Sequence, residues 1–333
     1  MKRLDEYWYQ KNLVSLLLSP LSVIFCTLVW LRRKSYQIGL LKSAKLPVPV
    51  VIVGNITVGG SGKTPLIITL IQLLKQAGYS PGVISRGYGG TARTWPQQVR
   101  KDSDPRVVGD EPLLIATRCD IPISVGPDRV AAAKKLLEYH QCDVILSDDG
   151  LQHYALSRDI EIVVVDGIRR FGNGYCLPAG PLREKEKRLQ EVDMIVSNGL
   201  ASRREFSMDM QVLSLVNLKT NENRELDNFK SGKIHAIAGI GYPARFFTSL
   251  RKQGFDLEEH AFPDHYNYNE TDLAFSEKLP IIMTEKDAVK CRFFASDNMW
   301  YLPVHAQLDE KFMTRFLYLL KNCMTVKSKT SVT

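Results

Sequence analysis

The residues with the clearest chemical meaning form a glycine-rich loop that runs into a lysine and a threonine. They are Thr57, Gly59, Gly60, Ser61, Gly62, Lys63 and Thr64. Backbone N–H groups of such a loop, and of the helix that follows it, point toward an anion and bind phosphate oxygens. Lys63 would reach the β- and γ-phosphates of a nucleotide, and the Thr64 hydroxyl would bind Mg²⁺. The loop therefore predicts a nucleotide site.

The segments on either side of the loop have the pattern that it requires. Val50–Val53 is an apolar run typical of a buried strand, and Leu66–Gly78 carries apolar residues at helical spacing. Pro65 suits the first turn of that helix, and Gly78 suits the position after its end. The strict pattern G-x-x-x-x-G-K-[ST] would place a glycine where Thr57 stands, and an ordinary glycine-rich turn is the alternative. The intact GSGKT sequence and both flanks favour the phosphate loop.

Two adjacent aspartates end a second apolar strand further along the chain. Residues 143–150 read DVILSDDG, so Asp148 and Asp149 follow three apolar side chains closely. Carboxylates at the carboxyl end of a strand supply the Mg²⁺ ligands that accompany a phosphate loop. The pair is weak evidence alone and stronger downstream of the glycine loop. His153 adjoins the pair, although a single loop histidine is more often structural than catalytic.

Other charged residues lie where strands end or helices begin. Arg86 follows a short apolar run in a glycine-rich turn, and Arg129 begins a helical stretch. Asp110 and Glu111 precede another helical stretch, where the helix dipole favours acidic residues without any catalysis. Glu184 belongs to a run of alternating charges that is most simply a solvent-exposed helix face, although Glu184 itself could face a cleft.

Strands alternate with helical stretches along the chain, which predicts parallel α/β units. Further strands are predicted at residues 81–85, 121–125, 160–166, 193–198, 210–216, 233–240 and 299–304. The 333 residues, 44% of them hydrophobic, suffice for two domains of ordinary size. We place one domain at residues 46–185 and a smaller one at 186–333, with no linker to mark the boundary sharply.

The N-terminal segment, residues 1–45, combines basic charge with a long apolar run. It holds eight lysines and arginines against two acidic residues, and the nineteen residues 13–31 carry no charge. As a helix this run would span roughly 28 Å, close to the hydrocarbon thickness of a bilayer. Serines, a threonine and Pro20 interrupt the apolar run, so the sequence fits an interfacial helix as well as a full membrane span. A buried helix of the soluble core is the alternative.

Charge and cysteine content narrow the class of protein further. The net charge of +8 is concentrated in the N-terminal segment, where the basic flank at 32–34 suits anionic headgroups on the cytoplasmic side of a membrane. Basic and aromatic residues do not interleave as they do in nucleic-acid-binding modules, so we expect no nucleic-acid partner. The six cysteines contain no C-x-x-C pair, and we expect reduced thiols in a reducing compartment.

Eight motifs, taken in chain order, closely resemble the tetraacyldisaccharide 4′-kinase family, the lipid A 4′-kinases of Gram-negative bacteria. They are VGNITVGGSGKTP, SRGYGG, VGDEP, SDDGLQHY, PAGPLRE, AGIGYPARFF, FPDHY and TEKDAVK. The resemblance covers residues of about 10–320. It also accounts for Thr57, because the family's loop resembles this one in lacking the first glycine.

The resemblance implies a phosphotransferase that uses ATP and Mg²⁺. The acceptor would be the 4′-hydroxyl of a tetraacylated glucosamine disaccharide 1-phosphate, and the product would be lipid IVA. The fold implied is a phosphate-loop NTPase-like α/β/α sandwich, with a second, smaller α/β domain closing over the cleft and an N-terminal membrane-associated helix. The enzyme would work at the cytoplasmic face of the bacterial inner membrane, in whose bilayer the substrate's acyl chains remain.

The resemblance also suggests roles for individual residues. Asp110 would be the base that accepts the proton of the sugar hydroxyl, with His265 orienting it or supporting its charge. Lys63 would stabilise charge on the transferring phosphoryl group, while Thr64 and the pair Asp148 and Asp149 would hold Mg²⁺. Contacts to phosphate, metal or substrate would come from Arg86, Arg129, His153 and Glu184.

Three other functions remain open from the sequence. A GTPase or ATPase switch could use the same loop, although the guanine-specific [NT]-K-x-D is absent, since Lys286 and Asp287 are adjacent in TEKD. A kinase or ligase with a soluble substrate would leave residues 13–31 without a purpose. A non-catalytic, membrane-tethered nucleotide binder would bind ATP but would not depend on Asp110.

Overall fold

The computed structural model describes residues 4–230 and 232–330, which fold around two β-sheets. Helices occupy α1 Leu13–Gln37, α2 Lys63–Gln76, α3 Pro105–Val108, α4 Asp110–Cys119, α5 Arg129–Tyr139, α6 Pro243–Lys252, α7 Glu285–Cys291 and α8 Glu310–Thr330. Short 3₁₀ helices lie at Leu4–Tyr7, Glu186–Glu191, Leu226–Phe229, Glu270–Leu273 and Arg292–Phe294. Both sheets are mainly parallel, because crossover connections, many of them helical, join most successive strands.

The larger sheet carries the phosphate loop. Its strands are β1 Val50–Gly54, β2 Pro81–Ser85, β3 Gln97–Gln98, β4 Ile123–Val125, β5 Val144–Asp148, β6 Ile160–Asp166, β7 Met194–Asn198 and β8 Phe206–Gln211, together with one strand from near the C-terminus, His305–Leu308. That last strand and β8 form one edge, followed by β7, β6, β1, β5, β2, β4 and β3. β1 is therefore central, and its loop opens between β5 and β6, where ligands bind in open α/β sheets.

Both faces of the larger sheet are buried, which explains why its strands are continuously apolar. Val51 and Val53 face a cluster built by α2, α4 and α8, whereas Val50 and Ile52 face the opposite layer, which includes α5. Helix α8 contributes Phe312, Phe316 and Leu320, all of them completely buried. The C-terminal helix thus packs on the domain that holds the N-terminal half of the chain.

The smaller sheet consists of residues between 214 and 302. Its strands are β9 Ser214–Asn217, β10 Asn223–Glu225, β11 Lys233–Ala238, β12 Asp256–Ala261, β13 Ile281–Thr284 and β14 Met299–Leu302. The next strand along the chain, His305–Leu308, is β15 and belongs to the larger sheet. The spatial order is β10, β9, β14, β13, β11, β12, so β12 is an edge strand. Helix α6 covers one face and α7 the other, each over an apolar cluster.

The division between the two sheets differs from the predicted boundary at 185/186. β7 and β8 still belong to the larger sheet, and the chain returns to it at β15 and α8. The single strand predicted at 210–216 is two strands, β8 and β9, which belong to different sheets. Periodicity could not reveal this, because an apolar run that continues through a crossover has the same pattern as one strand.

Helix α1 is not a buried core helix. Its large apolar side chains point outward, and Leu13 and Leu17 are 77% and 78% exposed. Its buried residues are polar: Ser15 and Ser22, the latter donating to the Cys176 carbonyl and accepting from the Ala179 amide. Among the described residues α1 is the helix long and apolar enough to cross a bilayer. This inside-out distribution is the one expected of a helix that meets lipid.

One sequence expectation about side chains is wrong, and another is confirmed only in part. Cys26 of α1 and Cys176 form a disulfide, so the six cysteines are not all reduced thiols in this structure. The charge run at 183–188 is exposed only in part: Lys185, Glu186 and Lys187 are exposed, whereas Glu184 and Arg188 are buried together and Arg188 pairs with Glu161. Alternating charges are typical of a solvated helix, but they also suit a buried ion-pair network.

Candidate active site

The phosphate loop has the backbone geometry predicted from its glycines. Helix α2 begins at Lys63, and Gly62 precedes it with a φ of +98°, a conformation that side chains with a Cβ rarely adopt. A Cβ at Gly62 would also lie 2.7 Å from the Asn198 side-chain nitrogen. Asn198 itself donates to the Ser61 carbonyl at 3.1 Å. The end of β7 therefore supports the loop, and only glycine fits at the turn into the helix.

Asp149 lies in a cationic environment beside this loop. Its carboxylate is 3.7 Å from the Lys63 ammonium and accepts two hydrogen bonds from the Arg183 guanidinium at 2.9 and 3.0 Å. Burial alone would raise its pKa, but Lys63 and Arg183 outweigh burial and hold the pKa below its ordinary value. Asp149 is thus an ionised carboxylate that already has two charge partners.

Asp148 has the opposite environment although it is the adjacent residue. It is fully buried, and one carboxylate oxygen accepts from the Ser85 hydroxyl at 3.2 Å while the other, Oδ1, has no hydrogen-bond partner. Burial, with the charge of Glu111, raises the pKa of Asp148 to about 7. A buried carboxylate oxygen without a partner is costly, unless a cation binds it.

Asp110 and His265 meet across the gap between the two sheets. Asp110 is the first residue of α4, and its carboxylate lies 3.0 Å from the His265 Nδ1, although the residues are 155 positions apart. Burial opposes ionisation of Asp110, but the His265 contact and the charges of Lys286 and Lys290 lower its pKa overall. Conversely, Asp110 raises the pKa of His265 against the effect of burial. The pair is therefore stabilised as carboxylate and imidazolium.

Lys286 joins this pair and was not among the site residues predicted from the sequence. Its ammonium lies 3.2 Å from Glu111, 3.3 Å from Asp264 and 3.8 Å from Asp110, and 3.4 Å from the His265 Nε2. These carboxylates raise its pKa, so it is charged. The signal was present in the sequence, because Lys286 stands in the TEKDAVK motif directly after β13.

Two arginines on either side of the cleft were also missed. Arg245 of α6 donates to Asp166 at 3.3 Å and to Asn198 at 3.0 Å, which links the smaller domain to the ends of β6 and β7. Arg169 pairs with Asp166 and donates to the Gly60 carbonyl at 2.7 Å. Arg245 reaches its partners across the gap between the two sheets, whereas Arg169 reaches Gly60 from the loop after β6 of the same sheet. Local sequence patterns encode neither contact.

Four further predicted residues lie in different surroundings. Arg86 is exposed at the end of β2, whereas Arg129 is buried near the aspartates and burial lowers its pKa to about 10. Burial, with the charge of Arg129, lowers the pKa of His153 to about 4, so this imidazole is neutral. Glu184 accepts from Gln152 and Tyr154 in the buried ion-pair network. Gln152 also donates to the Asn55 carbonyl, which follows β1, so it joins Glu184 to the start of the phosphate loop.

Comparison with known proteins supplies the family. A family model described as tetraacyldisaccharide-1-P 4′-kinase matches residues 14–321 of the chain. The chain belongs to this family. It is 52% identical over 322 residues to the tetraacyldisaccharide 4′-kinase of Nitrosococcus oceani, which covers 97% of this chain and 95% of that relative. The tetraacyldisaccharide 4′-kinase of Tolumonas auensis is 50% identical over 322 residues, covering 96% and 97% of the two chains.

A solved structure extends the likeness to three dimensions. The fold matches LpxK from Aquifex aeolicus, crystallised in complex with ATP, with a TM-score of 0.78 and 28% sequence identity. The match covers 92% of this chain and 100% of that one. These findings confirm the resemblance stated from the sequence, the α/β fold with its second sheet and apolar N-terminal helix, and the kinase class. They also support ATP as the nucleotide.

Proposed function

We propose that this member of the tetraacyldisaccharide-1-P 4′-kinase family transfers the γ-phosphate of ATP to the 4′-hydroxyl of a tetraacyldisaccharide 1-phosphate. The observation that carries the proposal is the position of the Asp110–His265 pair across the cleft from the phosphate loop. A phosphate donor site alone would serve a switch as well as a kinase. An ionised carboxylate paired with a histidine in the same cleft adds the group that a hydroxyl acceptor requires.

Asp110 is the proposed base for the sugar hydroxyl. A proton acceptor must be ionised at working pH, and the lowered pKa of Asp110 satisfies that condition. His265 and Lys286 orient the carboxylate and hold its charge, and both belong to the smaller domain. Tyr88 packs against the His265 ring with centroids 4.9 Å apart and fixes its orientation from the larger domain. Closing the two domains therefore completes the base.

The larger domain handles the phosphates. The loop's N–H groups and the N-terminus of α2 bind phosphate oxygens, and Lys63 stabilises negative charge on the group being transferred. Asp149 orients the Lys63 ammonium and the Arg183 guanidinium toward the same place. Arg129 adds a buried positive charge next to the aspartates. These groups need no change of protonation during transfer, so their contribution is electrostatic and positional.

The residues around Asp148 fit a magnesium ion. Its unpartnered, buried Oδ1 offers the hard anionic oxygen that Mg²⁺ prefers, and Thr64 in the first turn of α2 offers a hydroxyl. We assign the protein ligands to Asp148 and Thr64, and leave Asp149 to its arginine and lysine partners. When bound, Mg²⁺ neutralises charge on the β- and γ-phosphate oxygens.

The exposed apolar face of α1 supports attachment to a membrane, and we propose the cytoplasmic face of the bacterial inner membrane. Cosedimentation with anionic lipid vesicles tests the attachment. The double variant Leu17→Glu/Ile24→Glu should stay in solution, whereas Tyr318→Glu, an exposed apolar position on α8, should sediment as the wild type does. Equal sedimentation of all three proteins would contradict a role for α1.

The proposed reaction is tested with γ-labelled ATP, Mg²⁺ and tetraacyldisaccharide 1-phosphate in detergent micelles. We expect label in the lipid product, and little transfer to the same disaccharide phosphate stripped of its acyl chains. Efficient transfer to the stripped acceptor would favour a kinase of soluble substrates. Hydrolysis of ATP without labelled lipid would contradict the kinase proposal and favour a nucleotide switch at the membrane.

A further inference from the structure

Three metal-binding side chains lie together in the smaller domain, away from the phosphate loop. His235 is on β11, and Glu258 and His260 are on the neighbouring strand β12. The parallel register places His235 opposite Glu258. Because side chains of a strand alternate between faces, residues 258 and 260 project to the same face of the sheet. One atom of each residue lies within 4.8 Å of the others.

We propose that His235, Glu258 and His260 form a binding site for a zinc-class divalent cation. Two imidazoles and one carboxylate are a donor set typical of Zn²⁺, and three protein ligands would leave a fourth position for water. Ligands of a tetrahedral zinc ion lie roughly 3.3 Å apart, given Zn–N distances of about 2.0 Å. The His235 Nδ1 and His260 Nε2 are 3.1 Å apart, and the His260 Nε2 is 3.9 Å from the Glu258 Oε1.

The hydrogen bonds around the site leave the right atoms available. The His235 Nε2 lies 3.3 Å from the Glu277 carbonyl and donates to it, which leaves the Nδ1 lone pair directed at His260. The Lys233 ammonium holds the other Glu258 oxygen, Oε2, at 2.9 Å. Without metal, the His260 Nε2 donates its hydrogen to the His235 Nδ1. With metal, His260 carries that hydrogen on Nδ1 and both facing nitrogens bind the ion.

The surroundings partly shield the histidines from solvent. The Phe275 ring stacks on both imidazoles, with centroids 4.0 Å from His235 and 4.3 Å from His260. His235 is almost completely buried, whereas His260 and Glu258 are accessible from solvent. A cation can therefore enter from the edge of the sheet.

A metal at this position would connect the edge strand β12 to β11. β12 leads directly into the segment that carries Asp264 and His265, so the ion would anchor the strand from which the catalytic histidine extends. By linkage, a cation that binds the folded chain and not the unfolded chain raises the melting temperature. The site lies outside the nucleotide cleft, so its failure would leave the proposed kinase reaction untouched.

The test uses the full chain without a histidine tag. Co²⁺ is added as a spectroscopic substitute, and Zn²⁺ affinity is measured by competition with a chromophoric chelator in excess Mg²⁺. We expect visible d–d absorption, one bound Zn²⁺, and a higher melting temperature with Zn²⁺ for the wild type. His260→Ala and Glu258→Gln should each weaken binding by about tenfold or more. The control His140→Ala removes an exposed histidine elsewhere and should bind normally.

A second control separates metal binding from the strand ion pair. Lys233→Gln frees the Glu258 Oε2, so it should bind Zn²⁺ at least as tightly as the wild type. The absence of d–d absorption and of bound Zn²⁺ in the wild type would overturn the proposal, whatever the variants do, and would leave the cluster as a hydrogen-bonded histidine pair. Binding that persists unchanged in both His260→Ala and Glu258→Gln would overturn it equally.

Discussion

The two halves of the cleft are built differently. The phosphate half consists of the loop after β1 and the two aspartates at the end of β5, and both strands belong to one sheet. The acceptor half brings Asp110 of the larger domain to His265 and Lys286 of the smaller one. The phosphate half is built within one domain, whereas the other half depends on contacts between the two domains. Binding ATP and activating the acceptor should therefore be separable by mutation.

We expect the largest loss of activity from a substitution in the phosphate half. Lys63→Ala removes the cation that we propose faces the transferring group, so kcat should fall by about 10²–10³-fold and the KM for ATP should rise. Steady-state kinetics with varied ATP measure both. Lys75→Ala, an exposed lysine on the same helix, is the matched control and should behave as the wild type. A fall in kcat with unchanged ATP affinity would contradict a role for Lys63 in holding the nucleotide.

A smaller loss is expected from the acceptor half at Lys286. Lys286→Met removes a charged contact from Asp110, and contacts to charged groups contribute about 1.5–3 kcal/mol, so kcat should fall by about 10–10²-fold. The KM for ATP should not change. Removing this charge also raises the pKa of Asp110, so the acid limb of the pH–rate profile should move to higher pH. Lys286→Arg should restore part of the rate, whereas an unmoved acid limb would argue for a purely structural role.

A third prediction concerns the metal and uses binding rather than turnover. The pKa of Asp148, the Mg²⁺ ligand that we propose, is raised to about 7, so we expect a proton to compete with Mg²⁺ below that pH. The half-saturating Mg²⁺ concentration, measured with a fluorescent ATP analogue, should fall by up to about tenfold per pH unit as the pH rises toward 7. Asp148→Asn should abolish the dependence and Asp149→Asn should retain it. The reverse pattern would assign the ligand to Asp149.

The smallest effect is on folding stability. The pKa of His265 is raised above 6.5 in the folded chain, so its pairing with Asp110 contributes stability that is fully present below pH 6.5. That contribution is lost as the pH rises through the folded-state pKa. Urea unfolding should show the gap between wild type and His265→Asn narrowing at higher pH. Asparagine tolerates the positive φ of +59° at this position, and His140→Asn is the exposed control.

The same comparison explains how much could be predicted from the sequence. Strands β1, β2, β5 and β6 and the loop residues were predicted nearly to their bounds, because apolar runs, glycines and caps are local signals. Family motifs suggested the Asp110–His265 pair, which periodicity alone could not. Lys286 and Arg245 were missed because their contacts arise from the packing of two domains, and Arg169 because its contact with Gly60 joins two separate loops of the larger domain. The split between β8 and β9 was missed because the apolar run continues through the crossover and has the pattern of one strand.

The contrast between Asp148 and Asp149 was equally invisible in the sequence. Both are aspartates at one strand end, but Asp149 adopts a φ of +48° that turns its carboxylate toward Lys63 and Arg183. Asp148 is the last residue of β5, and its buried carboxylate accepts a hydrogen bond from the Ser85 hydroxyl. Adjacent residues therefore have opposite surroundings: Asp149 has two cationic partners, whereas Asp148 has an oxygen without a hydrogen-bond partner. Only the fold determines this difference.

The proposed role of Asp110 as the base is tested most directly by measuring phosphate transfer in the Asp110→Asn variant. γ-Labelled ATP and tetraacyldisaccharide 1-phosphate in micelles give kcat, and an ATP analogue gives nucleotide affinity for the same preparation. We expect kcat to fall by about 10²-fold or more while nucleotide affinity and the melting temperature change little. A kcat close to the wild-type value would contradict the assignment of Asp110 as the base and with it the division of the cleft into two halves.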